Sequence, residues 1–330
     1  MPTAKFWHPV KADRVACELC PHLCIIGEGR SGRCAIRLAA DGALQARGYG
    51  LLSGMHSDPI EKKPLYHYHP GGEIFSIGGW GCNFACAFCQ NWNISQQIDW
   101  QARRYSPQEI IALAQQAGSF GIAYTYNEPL INIEFIYDCV TLAQRAGLAN
   151  ILVTNGYLEE KPAAWILPLI GALNIDIKSM DDAFYRQQCQ GTLAPVLRFA
   201  CQARAAGCHV EITNLLIPGL NDAPAQLSRL SGWILEQLGP STPLHLSAYH
   251  PDYKLRLPRT PLAALLAAHE ICRRDLHYVY LGNVSSGTGQ DTHCPQCKAR
   301  LIQREGYRTQ VLGIQDKACA QCGRPADVVL

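Results

Sequence analysis

Two kinds of apolar pattern alternate along the middle of the chain. Short runs rich in β-branched and aromatic residues occur at Glu73 to Ile77, Gly121 to Tyr126, Asn150 to Val153, Leu173 to Ile177, His209 to Leu216, Pro243 to Ala248 and Tyr278 to Leu281. Longer amphipathic stretches separate them at Pro107 to Ala117, Ile131 to Ala146, Glu159 to Leu169, Ala194 to Ala206, Ala223 to Leu238 and Pro261 to Arg274. The runs read as strands and the stretches as helices. Strands that alternate with helices in this way read as repeated βα units and a parallel sheet. Right-handed crossovers curl such a sheet, so the predicted fold class is α/β, a complete or partial parallel (β/α) barrel with cysteine-rich extensions at both ends.

In a parallel barrel, ligand-binding groups sit at the C-terminal ends of the strands, and polar signatures stand at those ends here. The first strand runs into Gly78-Gly79-Trp80-Gly81 and the second into Thr125-Tyr126-Asn127-Glu128-Pro129. The third ends in Thr154-Asn155-Gly156, the fourth contains Asp176 and Lys178, the fifth ends in Asn214, and the sixth ends in Tyr249-His250-Pro251. Taken singly these are ordinary turn, capping or salt-bridge residues; taken together they converge on one rim.

The 330 residues allow about two domains, or one barrel with appendages. A formal charge of +2 without basic blocks gives no reason to expect nucleic acid as a partner. The N-terminus has no apolar signal core, and the most apolar segment, Ala163 to Ile177, is broken by Pro168 and too short to span a bilayer. The expectation is a cytoplasmic protein with no membrane partner. In a reducing compartment, its sixteen cysteines argue for metal ligands rather than disulfides.

The cysteines divide the chain into an N-terminal cysteine-rich region at 1–69, a barrel at 70–285 and a zinc-ribbon-like region at 286–330. Cys294, Cys297, Cys319 and Cys322 form C-x2-C-x21-C-x2-C, two knuckles around a hairpin-sized loop that fit structural zinc, with an auxiliary iron-sulfur cluster as the competitor. Cys17, Cys20, Cys24 and Cys34 fit zinc, a second cluster or unligated thiols, and His22 is a possible substitute ligand. Cys139, Cys189, Cys201, Cys208 and Cys272 are scattered and read as small core or surface residues.

Cys82, Cys86 and Cys89 carry the most chemistry. Three thiolates on one short loop hold three corners of a 4Fe-4S cluster, where ordinary electron-transfer clusters use four cysteines; one iron is then left open. A partial zinc site and inert buried thiols are the competing readings. No fourth Cys or His lies close by on the chain to close a tetrahedron, and Asn83, Gln90 and Asn91 give the loop a polar setting.

The C-x3-C-x2-C spacing with Phe88 before the last cysteine resembles the radical S-adenosylmethionine (radical SAM) superfamily. The order of the strand-end motifs over about residues 70 to 285 resembles its pyruvate formate-lyase activating enzymes. The resemblance implies a barrel of the radical SAM type in which the open iron is chelated by the amino and carboxylate groups of S-adenosylmethionine. It implies that Asn127 and Glu128 hold the methionyl amine, where the family commonly has Gly-Gly-Glu-Pro. Asp176 and Lys178 match a pair that contacts the ribose and methionine ends, and His250 matches a histidine near the deoxyadenosyl group. The family often has Asp-Thr-Asn-Gly after the third strand; Val153 replaces that aspartate, which shifts the expected contacts to Thr154 or Asn155.

The implied activity is reductive cleavage of S-adenosylmethionine to methionine and a 5'-deoxyadenosyl radical that abstracts hydrogen from a protein or small-molecule substrate. An electron donor such as flavodoxin or ferredoxin is the implied partner, and a glycyl-radical activating enzyme is the protein-directed version. A still closer resemblance is to the radical enzyme of the AmmeMemoRadiSam system, which implies Ammecr-like and Memo-like partner proteins. It is carried by Cys17 to Cys24, Gly32-Arg33-Cys34 with Arg37, Cys82 to Asn91, Thr125 to Pro129 and the cysteine-rich tail. The rival from another class is a non-catalytic redox-sensing or binding protein.

Overall fold

The computed structural model describes residues 1–11, 13–284 and 287–330. The domain boundary expected between residues 285 and 286 lies outside the described residues. The seven expected strands form one sheet, joined by an eighth. In chain order the strands are β1 (Gly54–Pro59), β2 (Glu73–Gly78), β3 (Gly121–Thr125), β4 (Ala149–Thr154), β5 (Ala172–Asp176), β6 (His209–Leu216), β7 (Leu244–Ala248) and β8 (Val279–Gly282). Spatial order follows chain order from β8 at one edge to β1 at the other; β2 to β8 are parallel and β1 is antiparallel to β2. Among the described residues β1 and β8 do not pair, so the barrel is partial.

Strand β1 comes from the segment expected to belong to the N-terminal region. Its sequence, Gly-Met-His-Ser-Asp-Pro, has little strand propensity. It sits at the sheet edge, where polar residues and a terminal proline are tolerated.

The crossovers supply the six expected helices: α1 (Pro107–Gln116), α2 (Ile133–Arg145), α3 (Glu160–Ile166), α4 (Ala194–Ala205), α5 (Pro224–Gln237) and α6 (Leu262–Cys272). Helix α1 starts where its sequence dictates. Ser106 caps the Glu109 backbone N–H, Glu109 returns a bond to the Ser106 N–H, and Pro107 takes the first helical position. The helices cover the outside of the sheet, and all five residues of β3 are buried, as a parallel strand between covering layers requires.

Both terminal regions are small sheets fixed to this frame. The N-terminal region contains the three-stranded Trp7–Val10, Arg14–Cys17 and Ile25–Gly27 sheet and an Arg37–Ala40/Ala43–Ala46 hairpin. Buried Arg37 pairs through Nη1 with both Glu134 oxygens on α2, at 3.0 and 3.1 Å, and donates through Nη2 to the Lys5 carbonyl. The C-terminal region holds the expected two knuckles around the hairpin of Arg300–Glu305 and Arg308–Val311.

That ribbon docks on a buried polar layer near the N-terminal ends of β6 to β8. Glu211 accepts from the backbone N–H of Tyr66 at 3.0 Å and of His67 at 2.7 Å, and bonds His209 at 2.9 Å and His245 at 2.6 Å. Burial opposes its charge, but the two imidazoles outweigh that and hold its carboxyl well below the usual range. Arg304 of the ribbon donates to the carbonyls of Tyr66 (2.7 Å) and Gln290 (3.1 Å) and to the Thr292 hydroxyl (2.8 Å). It also faces buried Glu61 at 3.8 Å. No helix among the described residues is long and apolar enough to cross a membrane.

Removing one partner of a buried ion pair leaves the other uncompensated. Arg304→Met is therefore expected to lower stability by about 3–5 kcal/mol in urea denaturation. Arg304→Lys recovers less than half of that, because an ammonium does not reproduce the planar fork that reaches three acceptors.

Candidate active site

Strand β2 ends at Gly78, and the chain enters the cysteine loop through Gly79-Trp80-Gly81. Gly81 has φ +82°, and a Cβ there would lie 2.4 Å from the Cys34 carbonyl oxygen, so both conformation and close approach require glycine. The loop is clamped on several sides. The Ala85 and Ala87 N–H groups donate to the carbonyls of Cys189 (3.0 Å) and Gln188 (2.8 Å), and the Ala87 carbonyl accepts from Lys254 (3.0 Å) and Leu255 (2.9 Å). His22 bonds the Asn83 carbonyl at 2.8 Å, so its imidazole braces this loop.

Cys82, Cys86 and Cys89 face a solvent-open cavity of about 350 Å³ at the C-terminal ends of the strands. Its wall takes residues from β3 to β7, including Thr125, Thr154, Asp176, Thr213 and Ser247, so the sheet curls around it. The three sulfurs do not all lie within 4.8 Å of one another. A single tetrahedral ion at about 2.3 Å from sulfur needs sulfurs roughly 3.8 Å apart, whereas an iron-sulfur cluster holds thiolates around a larger core. The wider spacing fits a cluster.

Asn127 donates to the Gly81 carbonyl at 2.8 Å and accepts from the Gly79 N–H at 3.0 Å, which fixes the start of the loop. Tyr126 has φ +71°, a strained value for a bulky residue, and its hydroxyl donates to Asp58 at 2.8 Å. Buried Glu128 accepts from the backbone N–H of Leu130 (3.0 Å) and Asn155 (2.8 Å) and from the Thr154 hydroxyl (2.8 Å). Burial pushes its carboxyl up to about 7. Asn155 also donates to Asn83 Oδ1 at 2.8 Å and approaches Cys82 Sγ at 3.8 Å. Thr154 and Asn155 thus hold Glu128 and the cysteine loop together.

Lys178 and Asp176 pair at 3.1 Å on the opposite wall. Burial opposes the Lys178 charge, yet Asp176 and the Cys86 and Cys189 thiols outweigh it and keep the ammonium's pKa above its ordinary value. The cavity therefore brings together nine of the ten central residues singled out from the sequence. The tenth, His250, follows β7 half-buried and is not on the cavity wall.

Sequence reasoning passed over three contributors. Thr213, not its neighbour Asn214, faces the cavity, and its buried hydroxyl has no hydrogen-bond partner; Asn214 turns to the Ile177 carbonyl at 2.8 Å. The two-residue period of a strand carries that signal. Ser95 bonds Cys89 Sγ at 3.2 Å. Buried Cys189 lies within hydrogen-bond reach of Cys86, a contact that no local pattern signals.

The other two cysteine sets lie elsewhere. Cys294, Cys297, Cys319 and Cys322 bring four sulfurs within 4.8 Å of one another, with Cys294 to Cys322 and Cys297 to Cys319 at 3.6 Å, close to the tetrahedral spacing. Cys17, Cys20, Cys24 and Cys34 line a separate small pocket, which His22 does not reach.

Comparisons with known proteins show the family and the fold. The family model for the Radical SAM superfamily matches residues 77–230. An uncharacterized protein of Methanocaldococcus jannaschii is 41% identical over 338 aligned residues that cover 100% of both chains. The pyruvate formate-lyase-activating enzyme of Listeria monocytogenes is 24% identical over 164 residues, 47% of this chain and 66% of that one. In fold, the chain resembles a radical SAM methyltransferase from Sphaerobacter thermophilus with a TM-score of 0.51 and 16% identity, over 67% of this chain and 70% of that one. The family match runs from the last residues of β2 through the cysteine loop and the ends of β3 to β6, and the chain belongs to the radical SAM superfamily.

Proposed function

We propose that the protein reductively cleaves S-adenosylmethionine at a 4Fe-4S cluster held by Cys82, Cys86 and Cys89. The hydrogen atom then taken comes from a protein or small-molecule substrate presented at the same cavity. The observation that carries this reading is the meeting of three widely spaced thiols with a buried carboxylate, Glu128, on one cavity wall. When bound, the cluster and S-adenosylmethionine supply the electron transfer and the carbon-sulfur cleavage.

The chain's own residues position and shield that chemistry. Glu128 is the acceptor for the N–H groups of the methionyl amine. Asp176 and Lys178 face the ribose and methionine ends, and the Thr213 hydroxyl is free to bond the cofactor. A second solvent-open space of about 610 Å³ adjoins the first and shares Lys62, Pro64, Ser247 and Asn283 with it, which leaves room for substrate. The ribbon thiols have the spacing for one structural zinc.

The finer likeness to the AmmeMemoRadiSam radical enzyme is supported by the integral place of the N-terminal region and the ribbon, both outside the matched 77–230 span. Ammecr-like and Memo-like proteins are then the partners, and a flavodoxin or ferredoxin is the electron donor. A glycine of a protein partner is the activating-enzyme version of the substrate, in line with the activating enzymes among the relatives.

Anaerobically reconstituted, dithionite-reduced protein is expected to convert S-adenosylmethionine to 5'-deoxyadenosine and methionine, and Cys86→Ala to fall to background. Absence of both products from protein with an intact cluster would overturn the reading. Glu128 supplies a second check. A carboxyl with pKa about 7 must lose its proton to accept the amine, so its share of S-adenosylmethionine affinity rises about tenfold from pH 6 to pH 8. Equilibrium binding to the unreduced protein measures this, and Glu128→Gln is expected to abolish that part of the rise.

A further inference from the structure

The N-terminal thiols have no part in the machinery above. Strand Arg14–Cys17 ends in Cys17, whose N–H donates to the Cys24 carbonyl at 2.9 Å, and the turn between them closes through Leu23 N–H to the Cys20 carbonyl at 3.0 Å. This fold brings Cys17, Cys20 and Cys24 together with Cys34 around one small pocket. No three of the four sulfurs all lie within 4.8 Å of one another, whereas all four ribbon sulfurs do. The chain therefore holds two four-thiol sets at two scales. The ribbon has the spacing of a single tetrahedral ion; the N-terminal set, like Cys82, Cys86 and Cys89, is not gathered that closely.

The pocket wall adds a second observation. Arg37 lines it, is 1% exposed, and keeps its Nε–H without an acceptor, although its other nitrogens are paired. A cluster held by four thiolates is anionic, and its sulfurs accept hydrogen bonds that tune its potential. A buried guanidinium with a spare donor suits that occupant.

We propose that Cys17, Cys20, Cys24 and Cys34 hold a second iron-sulfur cluster, which passes electrons to the one at Cys82, Cys86 and Cys89. Four protein ligands leave no open iron, so this cluster transfers electrons and binds no substrate. The path is short: the Cys34 carbonyl packs against Gly81, and Arg33, Cys34, Gly81 and Cys82 line a common pocket. One electron enters from a reduced flavodoxin- or ferredoxin-class donor and leaves to the neighbouring cluster, returning this one to its oxidised state. The ligand assignment stands alone, while the relay rests on the function proposed above.

Metal analysis and electron paramagnetic resonance of the anaerobically reconstituted full chain test the assignment. Two clusters give about six to eight irons per chain, and Cys86→Ala keeps about two to four of them in a reducible signal that S-adenosylmethionine does not perturb. Cys20→Ser/Cys24→Ser loses that signal. About four irons with two zincs per chain would overturn the assignment and leave the S-adenosylmethionine chemistry standing. For the relay, the double variant is expected to lose at least tenfold more cleavage rate with reduced flavodoxin than with dithionite; equal losses would overturn it. A chain with the second cluster and no cleavage by either donor would sink the proposed function instead.

Discussion

The geometry at the cavity mouth depends on one side-chain amide. Asn127 bonds the backbone on both sides of Trp80, accepting from Gly79 and donating to Gly81, and so ties the exit of β3 to the exit of β2. With both ends of that turn held, the chain reaches Cys82 at a fixed angle, and Gly81 adopts the left-handed conformation that lets the Cys34 carbonyl close in. In the Gly-Gly-Glu-Pro pattern of the activating enzymes a glycine precedes the glutamate. Here Asn127 does, and both ends of its amide bond the loop.

The same constraint seats the N-terminal region. A loop held only by its own backbone would not offer a defined surface for Cys34 or for the His22 imidazole that bonds Asn83. The ribbon is seated at the other end of the strands by Arg304 and the Glu211 layer, which closes the base of the partial barrel with polar groups that satisfy one another. The two cysteine-rich extensions thus differ in position as well as in sulfur spacing. One borders the cluster loop, and the other plugs the floor.

Much of this was legible in the sequence, and the exceptions have physical causes. The parallel strands are buried on both faces, so their apolar runs were unmistakable, and the intervening helices carried their own period. Strand β1 was missed because an edge strand needs no such run. At the end of β6 the polar pair Thr213-Asn214 was read through Asn214, yet alternation turns Thr213 inward. Cys189 meets Cys86 across more than a hundred residues of chain, and a contact made only by folding leaves no trace in local spacing. His250 was placed by its rank after β7, which fixes its neighbourhood but not the direction of its side chain.

Two buried glutamates show how charge separates scaffold from site. Glu211 and Glu128 are both almost inaccessible, and each accepts several hydrogen bonds. Burial raises both carboxyls. At Glu211 two imidazoles reverse the effect, and the anion is already matched within the fold. At Glu128 the donors are two backbone amides and a hydroxyl, all neutral, and the carboxyl stays near 7. A folded chain gains nothing from holding a carboxylate dry beside neutral donors only, because protonation would relieve it at modest cost. The arrangement becomes favourable once a stronger donor arrives from outside, and Glu128 opens onto the cavity where one would bind. Glu211 is complete without a ligand; Glu128 is completed by one.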